Sequence, residues 1–240
     1  MKHQPTGLID IHSHLLPVQD GPKDMGQTIQ ALKIAEENNI TDMILTPHYY
    51  SGDKSYDQKL ILDTFDNLKT EICKSNLRIR LYLGNECVVD EKLIDDLQAG
   101  KAFTLNNTKY VLCEYPFYQV QCNYQSNLYK LLDKGFKPII AHPERNAFIE
   151  RNYESILELA ENGCLIQCNA GSFFKKYGRS GKKYAVTMLK EKIVNFFATD
   201  SHSHKNRSPE VYKKLHMKLK NNVGTEYLFD LFDKNLRLII

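Results

Sequence analysis

Seven short apolar runs recur along the chain, and nearly all of them end in a histidine or a carboxylate. They are LIDIH from Leu8, DMILTPH from Asp42, IRLYLGNE from Ile79, KYVLCEYP from Lys109, KPIIAHPER from Lys137, CLIQCNA from Cys164 and IVNFFATDSH from Ile193. Runs this short, rich in β-branched residues and bounded by turn formers, read as buried strands. Amphipathic stretches lie between them. MGQTIQALKIAEENN places Ile29, Leu32 and Ala35 on one stripe, and DQKLILDTFDNLKTEIC does the same with Leu62, Phe65, Leu68 and Ile72. NYESILELAENG stops at Gly163, and SPEVYKKLHMKLKNN offers Ser208 as a cap and Pro209 as the first helical residue. Strand followed by helix, repeated from end to end, predicts an α/β fold on a parallel sheet, either closed into a barrel or doubly wound.

A chain of 240 residues can bury a substantial core as one domain, so residues 1–240 are expected to form a single unit. The net charge is +3, and the lysines and arginines are spread out rather than gathered, which argues against a nucleic-acid partner. No apolar span reaches 18 residues, and MKHQPTG is too short and polar for a secretory leader. The expectation is a cytoplasmic protein with no membrane insertion. Six cysteines, at 73, 87, 113, 122, 164 and 168, contain no C-x-x-C pair and are expected as reduced core residues.

The chemistry-bearing residues gather at the carboxyl ends of the runs, where barrel enzymes build their sites. Asp10, His12 and His14 alternate, which predicts all three on one face of the first strand with Ile9 and Ile11 on the other. Later runs end in His48, Glu86, Glu114, His142 with Arg145, and Asp200 with His202. Any one of these could be a satisfied core histidine or a helix cap. Burying so many ionisable groups together costs several kcal/mol per ion unless cations neutralise them. Mixed imidazole and carboxylate ligation without thiolate suits manganese, zinc, iron or magnesium, and the ligand count implies two or three ions. Such a cluster activates water and clamps the oxygens of an anionic substrate, and the Arg145 fork suits a phosphate. No cysteine is followed six positions later by arginine, and there is no G-x-S-x-G, no Walker loop and no G-x-G-x-x-G.

The ordered set DIHSH, QDGP, TPH, GNE, CEYP, AHPER and TDSH resembles the polymerase and histidinol phosphatase (PHP) superfamily. Within it, the chain looks most like the manganese-dependent tyrosine-protein phosphatases of bacterial capsule and exopolysaccharide operons. The resemblance implies a distorted TIM-like barrel of seven β/α units with a trinuclear centre at its mouth. Motif by motif it implies His12, His14, Glu86 and Asp200 on one metal, Glu86 bridging to a second held with Glu114 and His142, and Asp20, His48 and His202 on a third. Arg145, and secondarily Arg207, would hold the phosphate. Where such enzymes commonly carry Asp-Asp-Gly this chain has Gln19-Asp20-Gly21, so Asp20 is the expected ligand and position 19 is given no role.

The implied cofactor is manganese, two or three ions, with magnesium, cobalt, iron or zinc as alternatives. The implied substrate is a phosphotyrosine protein, a membrane-associated bacterial tyrosine kinase. Two other readings stay open: a small-molecule phosphatase such as one acting on histidinol phosphate, and a non-catalytic metal-binding docking module. Asp10 is expected as a partner of a ligand, His3 and His204 as solvent-facing, and His216 on an amphipathic helix. Tyr49 and Tyr50 could wall a phenyl-ring pocket, and the basic, aromatic GSFFKKYGRSGKK reads as a mobile or substrate-facing loop.

Overall fold

The computed structural model describes residues 7–115, 123–220 and 222–240. Among them nine strands alternate with helices: β1 (Leu8–Ser13), β2 (Ile40–Leu45), β3 (His48–Tyr49), β4 (Arg80–Leu83), β5 (Glu86–Val88), β6 (Tyr110–Glu114), β7 (Lys137–Ala141), β8 (Leu165–Asn169) and β9 (Phe196–Ala198). The helices are α1 (Met25–Glu37), α2 (Gln58–Lys74), α3 (Leu93–Gln98), α4 (Tyr124–Asp133), α5 (Ala147–Arg151), α6 (Tyr153–Glu161), α7 (Gly178–Lys190), α8 (Val211–Leu219) and α9 (Thr225–Phe229). Strands β1-β2-β4 form one sheet and β3-β5-β6-β7-β8-β9 another, with every pair parallel. The chain is thus an α/β protein on parallel sheets.

All seven apolar runs form strands, and two of them break in the middle. DMILTPH divides into β2 and β3 at Thr46–Pro47, and IRLYLGNE into β4 and β5 at Gly84–Asn85. Pro47 has no N–H to give the ladder. The Asn85 side chain spans the break instead, donating to the Pro47 carbonyl at 2.8 Å and accepting from the Phe103 N–H at 2.8 Å. Leu45 faces Leu83 before the break and His48 faces Glu86 after it, the same offset, so the pair bends as one ribbon. That bend carries His48 and Glu86 to the site side by side.

Beyond β9 the backbone bonds to β1: Asp200 N–H donates to the His12 carbonyl at 2.9 Å and His14 N–H to the Ser201 carbonyl at 2.7 Å. Ile9, Ile11, Ile44, Leu112, Ile139 and Phe196, from strands of both sheets, share one apolar cluster that Leu236 and Ile239 join from the C-terminal turn. The larger cluster lies between the sheets and the helices, with Leu32, Met43, Leu68, Ile140, Ile166 and Leu215 among its members.

The helices begin where the sequence supplies a cap. Asp24 accepts from the Gln27 N–H and Asp57 from the Leu60 N–H, each at 2.9 Å. Helix α6 ends before Gly163, whose φ of 97° a side chain would strain. Three expectations need correcting. On α2 the buried stripe contains Ile61 in place of Leu62, which is exposed, because Ile61 lies one turn from Phe65 and two from Leu68. Helix α8 starts at Val211 without a side-chain cap, so Ser208 caps nothing and Pro209 belongs to the preceding turn. GSFFKKYGRSGKK is largely helical, a 3-10 turn over Ala170–Phe174 followed by α7. Four cysteines are buried as expected, Cys73 is exposed, and Cys122 lies outside the described residues. No helix among the described residues is long and apolar enough to cross a membrane.

Candidate metal centre

The nine expected ligands come together at the carboxyl ends of the strands, with Glu86 in the middle. Glu86 Oε2 lies 3.1 Å from His12 Nε2, 3.0 Å from His14 Nε2 and 3.3 Å from His48 Nδ1, and Oε1 lies 2.8 Å from His142 Nε2. Asp200 Oδ1 is 3.7 Å from the Nε2 atoms of both His12 and His14. Asp20, on the exposed loop after β1, approaches His202 Nε2 at 2.9 Å and His48 Nε2 at 3.4 Å. Glu114 sits at the edge of the group, 3.6 Å from His48 Nδ1. The reason is register: Glu114 pairs with Val88, two residues beyond Glu86 along the adjacent strand.

These residues can hold cations. His12–His14–Asp200, His12–Glu86–His142, His14–His48–Glu86 and His14–Asp20–His202 each bring three ligand atoms within 4.8 Å of one another. Asp200 Oδ1, His14 Nδ1 and His48 Nδ1 are buried without a hydrogen-bond partner, so each lone pair or N–H is left to another use. Oxygen and nitrogen atoms 3.0–3.7 Å apart are spaced as if sharing an ion that each would touch at roughly 2.0–2.2 Å. His14 differs from the partition the resemblance implies. Its two ring nitrogens face two ligand groups, Nε2 toward Glu86 and Nδ1 toward Asp20 at 3.4 Å.

Without cations the cluster is electrostatically frustrated. Burial opposes charge on His12 and His14, but Glu86 with Asp200 around the first, and Asp20 with Glu86 around the second, outweigh it and push both up to about 9. Burial, reinforced by Glu86, pushes Glu114 up to about 8, and burial with nearby Arg145 pushes His142 down to about 4. Neighbouring groups of one type are thus driven to opposite protonation states. Divalent cations would relieve that conflict.

Hydrogen bonds fix the ligand faces. His12 Nδ1 donates to Gln167 Oε1 at 2.9 Å, which turns the Nε2 lone pair toward Glu86. Gln167 in turn donates to Asn169 Oδ1 at 2.8 Å, and Asn169 donates to Asp200 Oδ2 at 2.7 Å. This amide chain runs along β8, the strand without an acidic or histidine ligand at its end, and sequence reasoning missed it. His202 Nδ1 donates to the Asp200 carbonyl at 3.1 Å. Buried Glu144 was also missed; it accepts from Ser172 Oγ at 2.6 Å and from the Asn169 N–H at 2.9 Å, tying the turn that carries Arg145 to the turn after β8.

Arg145 and Arg207 flank the ligands, and both direct a guanidinium nitrogen at Asp200 Oδ2, Arg145 at 2.5 Å. Arg207 also donates to His202 Nε2 at 2.9 Å. Tyr177, another residue the sequence did not single out, lies with its ring 4.2 Å from the Arg145 guanidinium and 5.8 Å from that of Arg207. A cavity of about 110 Å³ is lined by His14, Asp20, His48, Glu86, Asp200 and both arginines, among others. Gln19, His142, Asp200 and Arg207 all have left-handed backbone, with φ of 51°, 35°, 52° and 52°. Such strain in non-glycine residues clusters at functional sites.

Several smaller expectations are corrected. The pairing of β1 with β2 slips by one residue between Asp10 and Ser13, and this bulge breaks the strict alternation. His12 therefore reaches Glu86, whereas Asp10, partner of a ligand as expected, accepts from the His12 N–H at 3.4 Å and from the Thr199 N–H at 3.0 Å, holding the strand after β9. Gln19 does have a role, its side-chain amide donating to the His48 carbonyl at 3.0 Å. Tyr49 is core, edge-on to Tyr56, while exposed Tyr50 lies 5.7 Å from the His48 ring. His204 is half-buried rather than solvent-facing, His216 lies on amphipathic α8 as expected and packs against Phe232, and His3 and Pro116 of the CEYP motif lie outside the described residues.

Comparison with known proteins places this arrangement. The chain is 32% identical to the CapC protein of Staphylococcus aureus, over 97% of this chain and 91% of that one. It is 30% identical to the tyrosine-protein phosphatase YwqE of Bacillus subtilis over the same shares. A crystal structure from a study of YwqE from Bacillus subtilis and CpsB from Streptococcus pneumoniae, described as unique metal-dependent tyrosine phosphatases, superposes with a TM-score of 0.89. The match has 29% identity and covers 97% of this chain and 94% of that one. Residues 8–240 match the family described as capsular polysaccharide synthesis, CpsB/CapC. With a match over almost its whole length, the chain belongs to the CpsB/CapC family.

Proposed function

We propose that this protein is a metal-dependent protein-tyrosine phosphatase that hydrolyses the phosphomonoester of phosphotyrosine. One observation carries the reading: eight imidazole and carboxylate groups line a single cavity beside two arginines, with His12 buried directly behind them against Glu86. Within the proposal His12, His14, Asp20, His48, Glu86, Glu114, His142, Asp200 and His202 are the metal ligands. The ions are two or three, with manganese the preferred one. Bound there, the cations would supply a nucleophilic hydroxide at neutral pH and neutralise charge on the phosphate.

The chain's own residues do the rest. Arg145 and Arg207 bind the phosphate oxygens, and their planar forks favour the equatorial arrangement of the transition state. Tyr177 stacks on the Arg145 fork and restricts its orientation. Gln167 and Asn169 keep His12 and Asp200 in ligating orientation. The leaving phenol has a pKa of about 10, so its departure needs little help from a general acid.

The proposal extends to the whole chain. Residues 1–240 form one domain, and the two sheets are parts of one distorted barrel of seven β/α units, supported by the β1 bonds to Asp200 and Ser201 and by the apolar cluster both sheets share. The protein works in the cytoplasm, and its substrate is a phosphorylated, membrane-associated tyrosine kinase. The test is phosphate release from a phosphotyrosine peptide and from histidinol phosphate after chelation and re-addition of manganese, magnesium, cobalt, iron or zinc singly. Release from the peptide, restored by metal, is the expected result. No release with any metal would overturn the proposal, and faster turnover of histidinol phosphate would assign a small-molecule phosphatase. Bound metal with no release from any phosphoester would leave a docking module.

A further inference from the structure

The segment from Ala170 to Lys190 contains six cations, Lys175, Lys176, Arg179, Lys182, Lys183 and Lys190, and no carboxylate. This is unusual for a chain whose charges are otherwise interspersed. The local structure makes it less favourable still, because Arg179, Lys182 and Lys183 lie in the first turns of α7, whose N-terminal end is the positive end of the helix dipole. Lys175, Lys176, Arg179 and Lys183 are exposed. None of the four makes an ion pair with a carboxylate among the described residues. An arrangement that opposes its own stability invites a functional explanation.

The cationic segment is continuous with the candidate site. Tyr177, in the middle of it, contacts the guanidinium of Arg145 and lies near that of Arg207. Gly171 makes room for that ring, since a Cβ there would meet Tyr177 Cε2 at 3.0 Å. The Lys176 side chain is exposed overall but partly desolvated at its base, which holds its ammonium below the usual range; Glu210 opposes this, and the charges of Lys214 and Arg207 add to it. Glu210 is itself paired with Lys214 at 3.0 Å. On the far side Lys218 sits 5.1 Å from the ring of exposed Phe174 and extends the patch. A partner held here must offer negative charge and also place a phosphate in the cavity that Tyr177 adjoins through the two arginines. A peptide chain satisfies both conditions, and a flat membrane surface meets only the first.

We propose that the exposed cations from Lys175 to Lys183 form a recognition surface for acidic or phosphorylated residues flanking the target phosphotyrosine. This rests on the phosphatase reading above and specifies the class of protein substrate.

The test compares two phosphotyrosine peptides of equal length, one flanked by aspartate and glutamate and one by serine and glycine. Each is also made as a non-hydrolysable phosphonate for binding by fluorescence anisotropy. The metal-loaded protein is expected to favour the acidic peptide by roughly ten-fold in kcat/KM, mostly through KM, as suits a few rim charges. The triple variant Lys175→Gln, Arg179→Gln, Lys183→Gln should bring that ratio close to one, as should salt at about 0.5 M. A structural loss would lower both peptides together and leave the ratio alone. Phosphate release without a flank preference, or a preference unchanged in the variant, overturns the inference while the phosphatase reading stands. Flank-dependent anisotropy without phosphate release from either peptide overturns the phosphatase reading and leaves the surface. If the variant keeps its peptide preference but loses binding to phosphatidylglycerol vesicles, the surface belongs to a membrane and the inference fails.

Discussion

Arg145 and Arg207 point at one oxygen of Asp200, and a buried carboxylate held by two guanidinium groups is pre-organised on both sides. Arg145→Ala should lower kcat by about 10²–10³, the scale set by removing a single donor to developing charge. The thermal midpoint of the metal-loaded protein should move by less than about 4 °C, since Arg207 still satisfies Asp200. Arg145→Lys should recover little of the loss, because an ammonium lacks the planar fork. A variant with wild-type kcat would remove Arg145 from the reaction. Gln167→Leu, which deprives His12 Nδ1 of its acceptor, should weaken metal affinity by about 10- to 100-fold, read by competition with a chromogenic chelator. Unchanged affinity would mean that Gln167 serves packing alone. The ligands themselves were legible in the sequence, because histidines and carboxylates gathered at the ends of apolar runs are too costly to bury for packing alone. Gln167, Asn169 and Tyr177 were not, since an amide or a phenol near a strand end looks the same whether it orients a ligand or only packs.

At the level of elements, the loop after β1 shows how little backbone freedom the site allows. A Cβ on Gly21 would lie 2.1 Å from the Leu16 carbonyl and 2.8 Å from that of His14. Gly21→Ala must therefore shift the loop that presents Asp20, while the strands beneath it have no reason to move. The expected outcome is a reduced metal content per chain by elemental analysis with an unaltered circular dichroism spectrum. Full metal content would show that Asp20 is dispensable or that the loop adapts. The strand and helix order was readable because the hydrophobic period declares it. The two mid-run breaks were not, although Pro47 is visible in the sequence, because a proline marks a possible break without saying that the neighbouring strand bends with it. The bulge in β1 was hidden for a related reason. Strict alternation is the default expectation, and the extra residue shows itself only in the pairing with β2.

For the whole molecule, the cluster joins strands that lie in different sheets: His12 and His14 belong to β1 or its end, whereas His48, Glu86, Glu114 and His142 come from the other sheet or its exits. Cations bound only by the folded chain add stability by mass action, about 2.7 kcal/mol at a free concentration of 100 times Kd. For a chain of this size that corresponds to roughly 5–10 °C. Chelation should lower the midpoint by that amount in differential scanning calorimetry, and restoring manganese should raise it again. An unchanged midpoint would mean that the cluster holds no ion with useful affinity. The left-handed backbone at Gln19, His142, Asp200 and Arg207 bears on how such a protein could be engineered. Glycine relieves that conformation at no steric cost, so a library screened for heat resistance without added metal would drift toward glycine at these four positions. Its hardiest survivors would be the ones that had lost their ligands, and any search for a sturdier form of this enzyme has to select for turnover in the same round.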